Sequence, residues 1–208
     1  MIESALLERG ITSIAGVDEA GRGACAGPLV VAAVILRNPH SDSLREVRDS
    51  KALTPKKREE LFSIVIEEAE AHAIVSIEAE EIDRIGLHVA NLEGMRRAVA
   101  QLRVEPEYVL TDGYAIDGIS APHLAVWKGD QVALTISAAS ILAKVTRDRV
   151  MRELDLKYPG YGFAGHKGYV TKSHHEAIEK LGVLPIHRRS YSNIAQLINN
   201  KERSTPSK

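Results

Sequence analysis

The sequence predicts an α/β protein, a sheet domain with a helical extension at its C-terminal end. Strand-length apolar segments come early in the chain, and segments with helical periodicity alternate with them as far as about residue 130. From residue 135 onward only helices are predicted. We therefore expect a sheet domain at residues 1–157, a helical extension at residues 158–200 and a polar, disordered tail at residues 201–208.

The first two strands are expected at residues 12–18 and 29–36, on either side of a glycine-rich turn at residues 21–28. The second segment is apolar throughout and rich in β-branched residues, which is typical of a strand buried on both faces. Because a tight glycine turn separates the two segments, the pair is predicted to form an antiparallel hairpin.

The later elements are recognised from the residues at their ends. Thr54 is predicted to cap a helix whose first residue is Pro55, since a proline at that position gives up no helical hydrogen bond. Thr171 and Gly182 are predicted to bound a helix at residues 172–181. The remaining segments are predicted as strands at residues 73–78, 107–112 and 123–127, and as helices at residues 79–85, 88–102, 135–157 and near 191–199.

Composition and length are ordinary for a globular protein of 208 residues, with 44% hydrophobic and 26% charged residues. The single cysteine, Cys25, excludes an internal disulfide, and we interpret it as a small packing residue in a reducing compartment. The first ten residues carry acids and no long apolar stretch, so neither a secretory signal nor a membrane anchor is expected. A cytoplasmic protein is the simplest expectation.

Charge is distributed unevenly along the chain. The net charge of -1 argues mildly against a nucleic-acid partner, because dedicated phosphate binders are usually basic overall. Acids concentrate in the middle of the chain, whereas basic residues and histidines crowd the later third, and a local basic face can still attract a polyanion. These later residues are Lys144, Arg147, His166, Lys167, Lys172, His174, His175, His187, Arg188 and Arg189.

Acidic residues stand at the ends of three predicted strands. Asp18 and Glu19 end the first strand, Asp112 ends the strand at residues 107–112, and Asp130 follows the strand at residues 123–127. If these strands are neighbours in the sheet, the carboxylates converge, and such hard oxygen ligands favour Mg²⁺ or Mn²⁺. Two such ions can activate a water and stabilise the leaving oxygen in phosphodiester cleavage. The alternative is a set of solvated carboxylates, since any α/β protein places some acids at strand ends.

Two further patterns suggest contact with a nucleic acid. The turn Gly21-Arg22-Gly23 leaves backbone groups uncovered, so that a sugar or phosphate can approach closely, although a simple tight turn also explains it. On the long helix at residues 135–157, a set of hydroxyl and cationic residues recurs at steps of three and four. This row matches a phosphate-contacting face or, alternatively, a solvated one. Its members are Ser137, Ser140, Lys144 and Arg147.

The motifs taken together resemble type 2 ribonuclease H (ribonuclease HII) of the bacterial type. They occur in the family's order from about residue 14 to 191 and as a set are highly specific. The segments that carry the resemblance are Ile14 to Gly23 with Gly27-Pro28, Asp49-Ser50-Lys51, Lys128-Gly129-Asp130, Ile136 to Asp148, Tyr161-Gly162-Phe163, His166-Lys167-Gly168-Tyr169 and His187 to Ser190. Departures are small: Tyr191 stands where the family commonly has Phe, and Trp127 where a smaller apolar residue is usual.

The resemblance implies a ribonuclease H-like fold with a mixed central sheet, and cleavage of the phosphodiester on the 5′ side of a ribonucleotide in RNA–DNA hybrids and ribonucleotide-containing duplex DNA. It implies Mg²⁺ or Mn²⁺ as cofactor, held by Asp18, Glu19, Asp112 and Asp130. It also implies that the Gly21-Arg22-Gly23 backbone reads the ribose 2′-hydroxyl, the group that distinguishes RNA from DNA. Tyr169 matches the tyrosine that stacks on the following sugar. The substrate-binding set predicted with them is Lys51, Ser140, Lys144 and Arg147.

Other interpretations of the sequence stay open. A non-catalytic binder of RNA–DNA hybrids would be expected to have lost one or more acids, and none is lost. A different Mg²⁺-dependent phosphotransfer enzyme would act on a small phosphoester. His166, His174, His175 and His187 could form a zinc site, but we interpret His174 and His175 as surface residues at the start of a helix. A monomer is expected, and the tail contains no clear sliding-clamp peptide.

Overall fold

The computed structural model describes residues 2–47 and 53–203, with side chains described as far as residue 200. The chain forms two compact units. The first contains Met1–Ala20, Val30–Ser76 and Asn91–Thr146, and the second contains Gly21–Leu29, Ile77–Ala90 and Arg147–Lys208. The second unit thus combines the C-terminal extension expected from residue 158 with two earlier segments and the end of the long helix.

Five strands form one mixed sheet, in the order β3-β2-β1-β4-β5. Strands β1 and β2 pair antiparallel, as the predicted hairpin requires, whereas β1 with β4 and β4 with β5 pair parallel. All eight residues of β2 are buried, in agreement with its continuous apolar sequence. The strands are β1 Ile14–Ala20, β2 Leu29–Leu36, β3 Ala69–Ile77, β4 Tyr108–Asp112 and β5 His123–Val126.

Nine α-helices are assigned within the described residues, together with one turn of 3-10 helix at Asp42–Leu44. Thr54 and Thr171 cap α2 and α8 as predicted, because each hydroxyl accepts a hydrogen bond at 3.2 Å from the backbone N–H three residues later. The helices are α1 Ile2–Leu7, α2 Pro55–Glu68, α3 Ala79–Ile85, α4 Leu87–Ala100, α5 Gly129–Val132, α6 Leu134–Lys157, α7 Phe163–His166, α8 Lys172–Leu181 and α9 Ser192–Arg203.

Helix α9 corrects the predicted start of the tail. The helix ends at Arg203, so residues 201–203 are helical rather than disordered. Lys, Glu and Arg are good helix formers, and they extend a helix whose apolar residues Ile194, Leu197 and Ile198 pack in the core of the second unit. No helix in the described ranges 2–47 and 53–203 is long and apolar enough to cross a membrane.

In the first unit, β1 approaches the start of α6 very closely. A Cβ atom at Gly16 would lie 2.1 Å from the carbonyl carbon of Thr135, so only glycine fits between strand and helix. The buried Glu3 carboxylate accepts hydrogen bonds from the Thr135 N–H at 2.8 Å and from its hydroxyl at 3.0 Å. Helix α1 therefore satisfies a backbone donor in the first turn of α6. This arrangement fixes α6 beside the strand that carries Asp18 and Glu19.

Candidate active site

The sheet register brings two of the predicted acids side by side. The β1–β4 ladder pairs Val17 with Thr111, and the next residues along the two parallel strands are Asp18 and Asp112. Asp112 in turn pairs with Val126, the last residue of β5, and Asp130 follows on the short helix α5. The three strands are therefore neighbours, which confirms the condition on which convergence of the acids depends.

Asp18 is buried beside other acids, which disfavours its charged form. Only 3% of its surface is exposed, and burial raises the pKa of its carboxyl well above the usual value, with the negative charges of Glu19 and Asp112 raising it further. Hydrogen bonds from the Ser140 hydroxyl and from the Glu19 N–H, the latter at 2.7 Å, oppose this rise only in part. The structure thus brings Asp18 into electrostatic interaction with both Glu19 and Asp112.

Asp112 and Asp130 are connected through the turn between β5 and α6. The Gly129 N–H donates a hydrogen bond at 2.7 Å to Asp112 Oδ1. Asp130 is buried, and its carbonyl accepts a hydrogen bond at 2.7 Å from the Ser137 hydroxyl. Lys128 adopts a left-handed backbone conformation with φ of 53°, which is uncommon for a residue other than glycine and is often found at functional sites.

The residues of this site fit a hard divalent cation in their chemistry. Over the described part of the chain, no three His, Cys, Asp or Glu side chains already stand in an arrangement that could hold a metal ion. The predicted donors are nevertheless all carboxylates, the ligands that Mg²⁺ and Mn²⁺ prefer. A cation would also relieve the repulsion at Asp18, whose carboxyl is buried beside two other acids.

The second unit holds the predicted glycine turn and Tyr169. Gly21 has φ of +91°, and a Cβ atom there would lie 1.8 Å from the Arg147 Nε, so the turn requires glycine. A Cβ at Gly23 would lie 3.7 Å from the Tyr169 ring, which itself lies 5.7 Å from the centre of the Arg147 guanidinium. Tyr169 is 40% exposed. These residues form one connected group, which we call the glycine-turn cluster: Gly21, Arg22, Gly23, Arg147 and Tyr169.

Two buried arginines hold the glycine-turn segment through its carbonyl oxygens. Arg147 donates to Pro28 at 2.9 Å, to Ala26 at 3.1 Å and to Lys167 at 3.0 Å. Burial lowers the pKa of Arg147 to about 10, so the group remains charged at neutral pH. Arg188 donates to the Gly27 carbonyl at 3.0 Å and to the Arg22 carbonyl at 3.1 Å. This role of Arg188 is not predictable from the sequence, where its only signal is its place in the motif at residues 187–190.

Three of the four residues in the predicted row on α6 are buried, so the row is not a solvated helix face. Ser137, Ser140 and Arg147 are all buried, and their polar groups bind the chain itself rather than solvent. The reason is that α6 packs on more than one side, so that a face with a polar sequence lies against the protein. Lys144 is partly buried. Lys51, the remaining predicted substrate-binding residue, lies outside the described residues.

The interpretation of His174 as a surface residue is wrong. Its side chain is only 1% exposed, whereas the neighbouring His175 is exposed as predicted. His174 lies against Phe163, His166 and His187, with ring centroids 5.4, 4.2 and 5.3 Å away. A zinc site of four histidines is not supported, since His175 is exposed to solvent and each of the other three rings is hydrogen-bonded within the protein.

Comparison with known proteins decides the family. The family described as Ribonuclease HII matches residues 15–194. The chain belongs to the ribonuclease HII family. It is 57% identical over 194 residues to the ribonuclease HII of Salinispora tropica, covering 93% of this chain and 72% of the relative. It is 55% identical over 206 residues to that of Rhodococcus opacus strain B4, covering 99% of this chain and 91% of the relative.

Solved structures confirm the ribonuclease H-like fold. The ribonuclease H2 of Pyrococcus horikoshii OT3 superimposes with a TM-score of 0.80 at 31% identity, covering 92% of this chain and all of that one. The RNase HII of Archaeoglobus fulgidus, solved as a complex with PCNA, gives a TM-score of 0.74 at 27% identity, with 86% and 95% of the two chains covered. The protein is therefore a nuclease of the ribonuclease H type, and its family acts on RNA–DNA hybrids.

Proposed function

We propose that this ribonuclease HII cleaves the phosphodiester on the 5′ side of a ribonucleotide, both in RNA–DNA hybrids and in duplex DNA with embedded ribonucleotides. The products would carry 5′-phosphate and 3′-hydroxyl ends. The observation that carries the proposal is the crowding of Asp18, Glu19 and Asp112 near the C-terminal ends of the neighbouring strands β1 and β4, in a chain whose family processes such hybrids. Ribonucleotide excision repair and DNA replication are the processes in which this activity would act. The cytoplasmic location and the monomeric state stay predictions.

In this proposal Asp18, Glu19, Asp112 and Asp130 hold two divalent ions, Mg²⁺ or Mn²⁺. When bound, such ions supply an activated water and stabilise the leaving oxygen. The protein's own contribution is to fix the carboxylates. The Glu19 N–H and the Ser140 hydroxyl orient Asp18, and the Gly129 N–H orients Asp112. Ser140, predicted from the sequence to contact substrate, would thus act through Asp18.

The glycine-turn cluster would recognise the ribonucleotide. Gly23 is exposed and has no side chain, so that a ribose 2′-hydroxyl can reach the backbone of the turn there, whereas the Cβ position of Gly21 is filled by the Arg147 side chain. Tyr169 presents a partly exposed ring next to Gly23, suited to stacking on a sugar. Arg147 would support this cluster from beneath rather than bind phosphate, because its donors bind three carbonyls. Lys51 and Lys144 are proposed as phosphate contacts.

The test is an incision assay on duplex DNA that contains one ribonucleotide. We expect the wild-type protein to cut on the 5′ side of the ribonucleotide with Mg²⁺ or Mn²⁺, and Asp18→Asn to reduce cutting to background. Asp117→Asn, which changes an exposed aspartate in a loop, should cut like the wild type. End-labelled products give the position of the cut and the end groups.

The assay also separates the alternatives. If the wild-type protein binds the duplex but leaves it intact with both metals, the proposal is wrong and a non-catalytic hybrid binder is favoured. Hydrolysis of a small phosphoester without incision of the duplex would indicate the phosphotransfer enzyme instead.

A further inference from the structure

Three histidines of the second unit form a hydrogen-bonded group, the histidine cluster, which consists of His166, His174 and His187. The rings of His166 and His174 are stacked, with centroids 4.2 Å apart and planes inclined by 15°. Each ring nitrogen lies within hydrogen-bonding distance of a defined polar partner. The backbone donors among these partners determine which nitrogen of each ring carries the proton.

The position of the proton on His187 determines which groups donate and which accept in the hydrogen-bond network. The Leu184 N–H donates at 2.8 Å to His187 Nδ1, so this nitrogen is an acceptor. The Leu184 carbonyl is also 3.3 Å from Nδ1, but a proton placed there would face the closer N–H donor. The proton of neutral His187 therefore resides on Nε2, which donates to His174 Nε2 at 3.2 Å.

His174 in turn donates a hydrogen bond to the Tyr169 carbonyl. Because its Nε2 accepts from His187, its own proton resides on Nδ1, which donates at 2.9 Å to the Tyr169 carbonyl. His166 acts on the same loop: its Nδ1 accepts from the Gly168 N–H at 3.1 Å, and its Nε2 donates to the Tyr161 carbonyl at 2.7 Å. Three neutral rings thus satisfy every donor and acceptor in the network.

We infer that the histidine cluster positions Tyr169, aligning its backbone so that its ring meets the sugar of the substrate, and that it does so only while all three rings are neutral. This inference rests on the role proposed above for Tyr169. His166, His174 and His187 are positioning residues in this scheme, since none of them contacts the substrate.

The hydrogen bonds around Tyr169 explain why a change in the histidine cluster would affect the position of this residue most. The Tyr169 carbonyl is held by His174, and the Tyr169 N–H donates at 2.9 Å to the His166 carbonyl. The preceding Gly168 carbonyl accepts from the Cys25 N–H at 2.9 Å. Both peptide groups of Tyr169 are therefore fixed, while 40% of the residue stays exposed for a ligand.

Burial favours the neutral form of His174 and His187. Burial lowers the pKa of His187 to about 4, and burial also lowers the pKa of His174. The titratable groups that face the cluster are the Cys25 thiol, the Tyr161 phenol and His175, besides the three rings themselves. A second proton on any of the three rings would place a donor against a donor and break one link of the network.

Nitrogen NMR of the histidine-labelled protein tests the proton positions directly. At pH 7 we expect His166 and His187 to be neutral with the proton on Nε2, and His174 to be neutral with the proton on Nδ1. A proton on Nε2 of His174, or a charged ring in the cluster at this pH, would overturn the inference whatever the enzyme's activity.

A double-mutant cycle tests the functional link, with steady-state kinetics on the single-ribonucleotide duplex. His174→Phe keeps the ring but removes its hydrogen bonds, and we expect kcat/KM to fall roughly 10- to 100-fold through misplacement of Tyr169. His174→Asn retains a donor toward the Tyr169 carbonyl and should recover part of the loss. His175→Phe changes the exposed neighbour and should have no effect.

The decisive comparison is made in the Tyr169→Ala background. If His174 acts through Tyr169, His174→Phe should cause little further loss there. Losses that simply multiply would show a general structural role and overturn the inference. If Tyr169→Ala alone leaves kcat/KM unchanged, the proposed role of Tyr169 is what fails. Should His174→Phe not fold, His174→Asn takes its place in the cycle.

Discussion

The position of Asp18 suits the proposed binding of a cation but destabilises the metal-free protein. A carboxylate with 3% exposure, next to Glu19 and Asp112, is costly to ionise, and the hydrogen bonds from Ser140 and the Glu19 N–H compensate only partly. Binding sites for cations commonly show this conflict, because the ligands are arranged for an ion that the free protein lacks. The neutral amide of asparagine would relieve the repulsion while keeping the size of the side chain.

Asp18→Asn is therefore expected to stabilise the metal-free protein while abolishing incision. We expect its Tm in EDTA to exceed that of the wild type by a few degrees, since 1 kcal/mol corresponds to about 2–4 °C for a chain of this size. Added Mg²⁺ or Mn²⁺ should raise the Tm of the wild type and have less effect on the variant. Differential scanning fluorimetry measures both, with Asp117→Asn as control. A lower Tm of Asp18→Asn in EDTA would contradict the repulsion argument.

At the residue scale, the sequence predicts the place of a side chain only where the neighbouring residues in the sequence indicate it. Asp18, Asp112 and Asp130 could be predicted because each lies near the end of a strand, or shortly after one, that is recognisable from its own sequence. The burial of Arg147 and His174 could not be found in this way. Arg147 donates a hydrogen bond to the carbonyl of a residue 119 positions away in the sequence. His174 Nδ1 lies 3.7 Å from the sulfur of a cysteine 149 positions away. Such partners are brought together only by the folded chain.

At the scale of elements, the contact between β1 and α6 matters most for the acids. Gly16 lies two residues before Asp18, and its missing side chain lets the first turn of α6 approach the strand. The helix in turn carries Ser137 and Ser140, which bind the Asp130 carbonyl and the Asp18 carboxylate. The spacing of strand and helix therefore sets the geometry of the site.

Gly16→Ala should be strongly destabilising. The added Cβ would lie 2.1 Å from a backbone atom of Thr135, and neither element can shift without disturbing the sheet or the helix. We expect a loss at the upper end of the range of about 1–3 kcal/mol that overpacking causes. Gly165→Ala is the matched control, because nothing lies within 4 Å of a Cβ there and no positive φ is required. Urea denaturation compares the two, and equal stability of Gly16→Ala and wild type would contradict so close an approach of β1 to α6.

Elements with a continuous apolar pattern or clear terminal residues are predicted with correct bounds, whereas helices of a single turn are not predicted. The bounds of β2, α3 and α8 agree with the prediction, since each has a continuous pattern or clear terminal residues. Strand β3 begins at Ala69 rather than residue 73, although its alternating burial matches a strand, because Ala and Glu also favour helices. Helices α5 and α7 have four residues each, too few to show helical periodicity.

At the scale of the whole molecule, buried neutral histidines make stability depend on pH. The pKa of His187 is lowered to about 4 and that of His174 is lowered as well, whereas a histidine in the unfolded chain titrates near 6.5. Between these values the unfolded state binds more protons than the folded state. The free energy of unfolding must therefore fall as the pH falls through this window.

We expect this loss to begin just below pH 6.5 and to continue toward pH 4, approaching about 1.4 kcal/mol per pH unit for each fully neutral buried histidine. Carboxylates with a lowered pKa contribute lower in the range: the hydrogen bonds that Glu107 accepts lower its pKa, so its contribution is present above its unfolded pKa and is lost only as the pH falls below about 4.5. The raised pKa of Asp18 gives that carboxyl a contribution of opposite sign, which Asp18→Asn removes. Urea denaturation of Asp18→Asn between pH 5.5 and 6.5 therefore isolates the histidines. His187→Asn should flatten the slope in this interval, whereas His175→Asn, at an exposed position, should leave it unchanged. A stability of the Asp18→Asn background that is constant from pH 6.5 to 5.5 would mean that folding does not lower the pKa values of the buried rings.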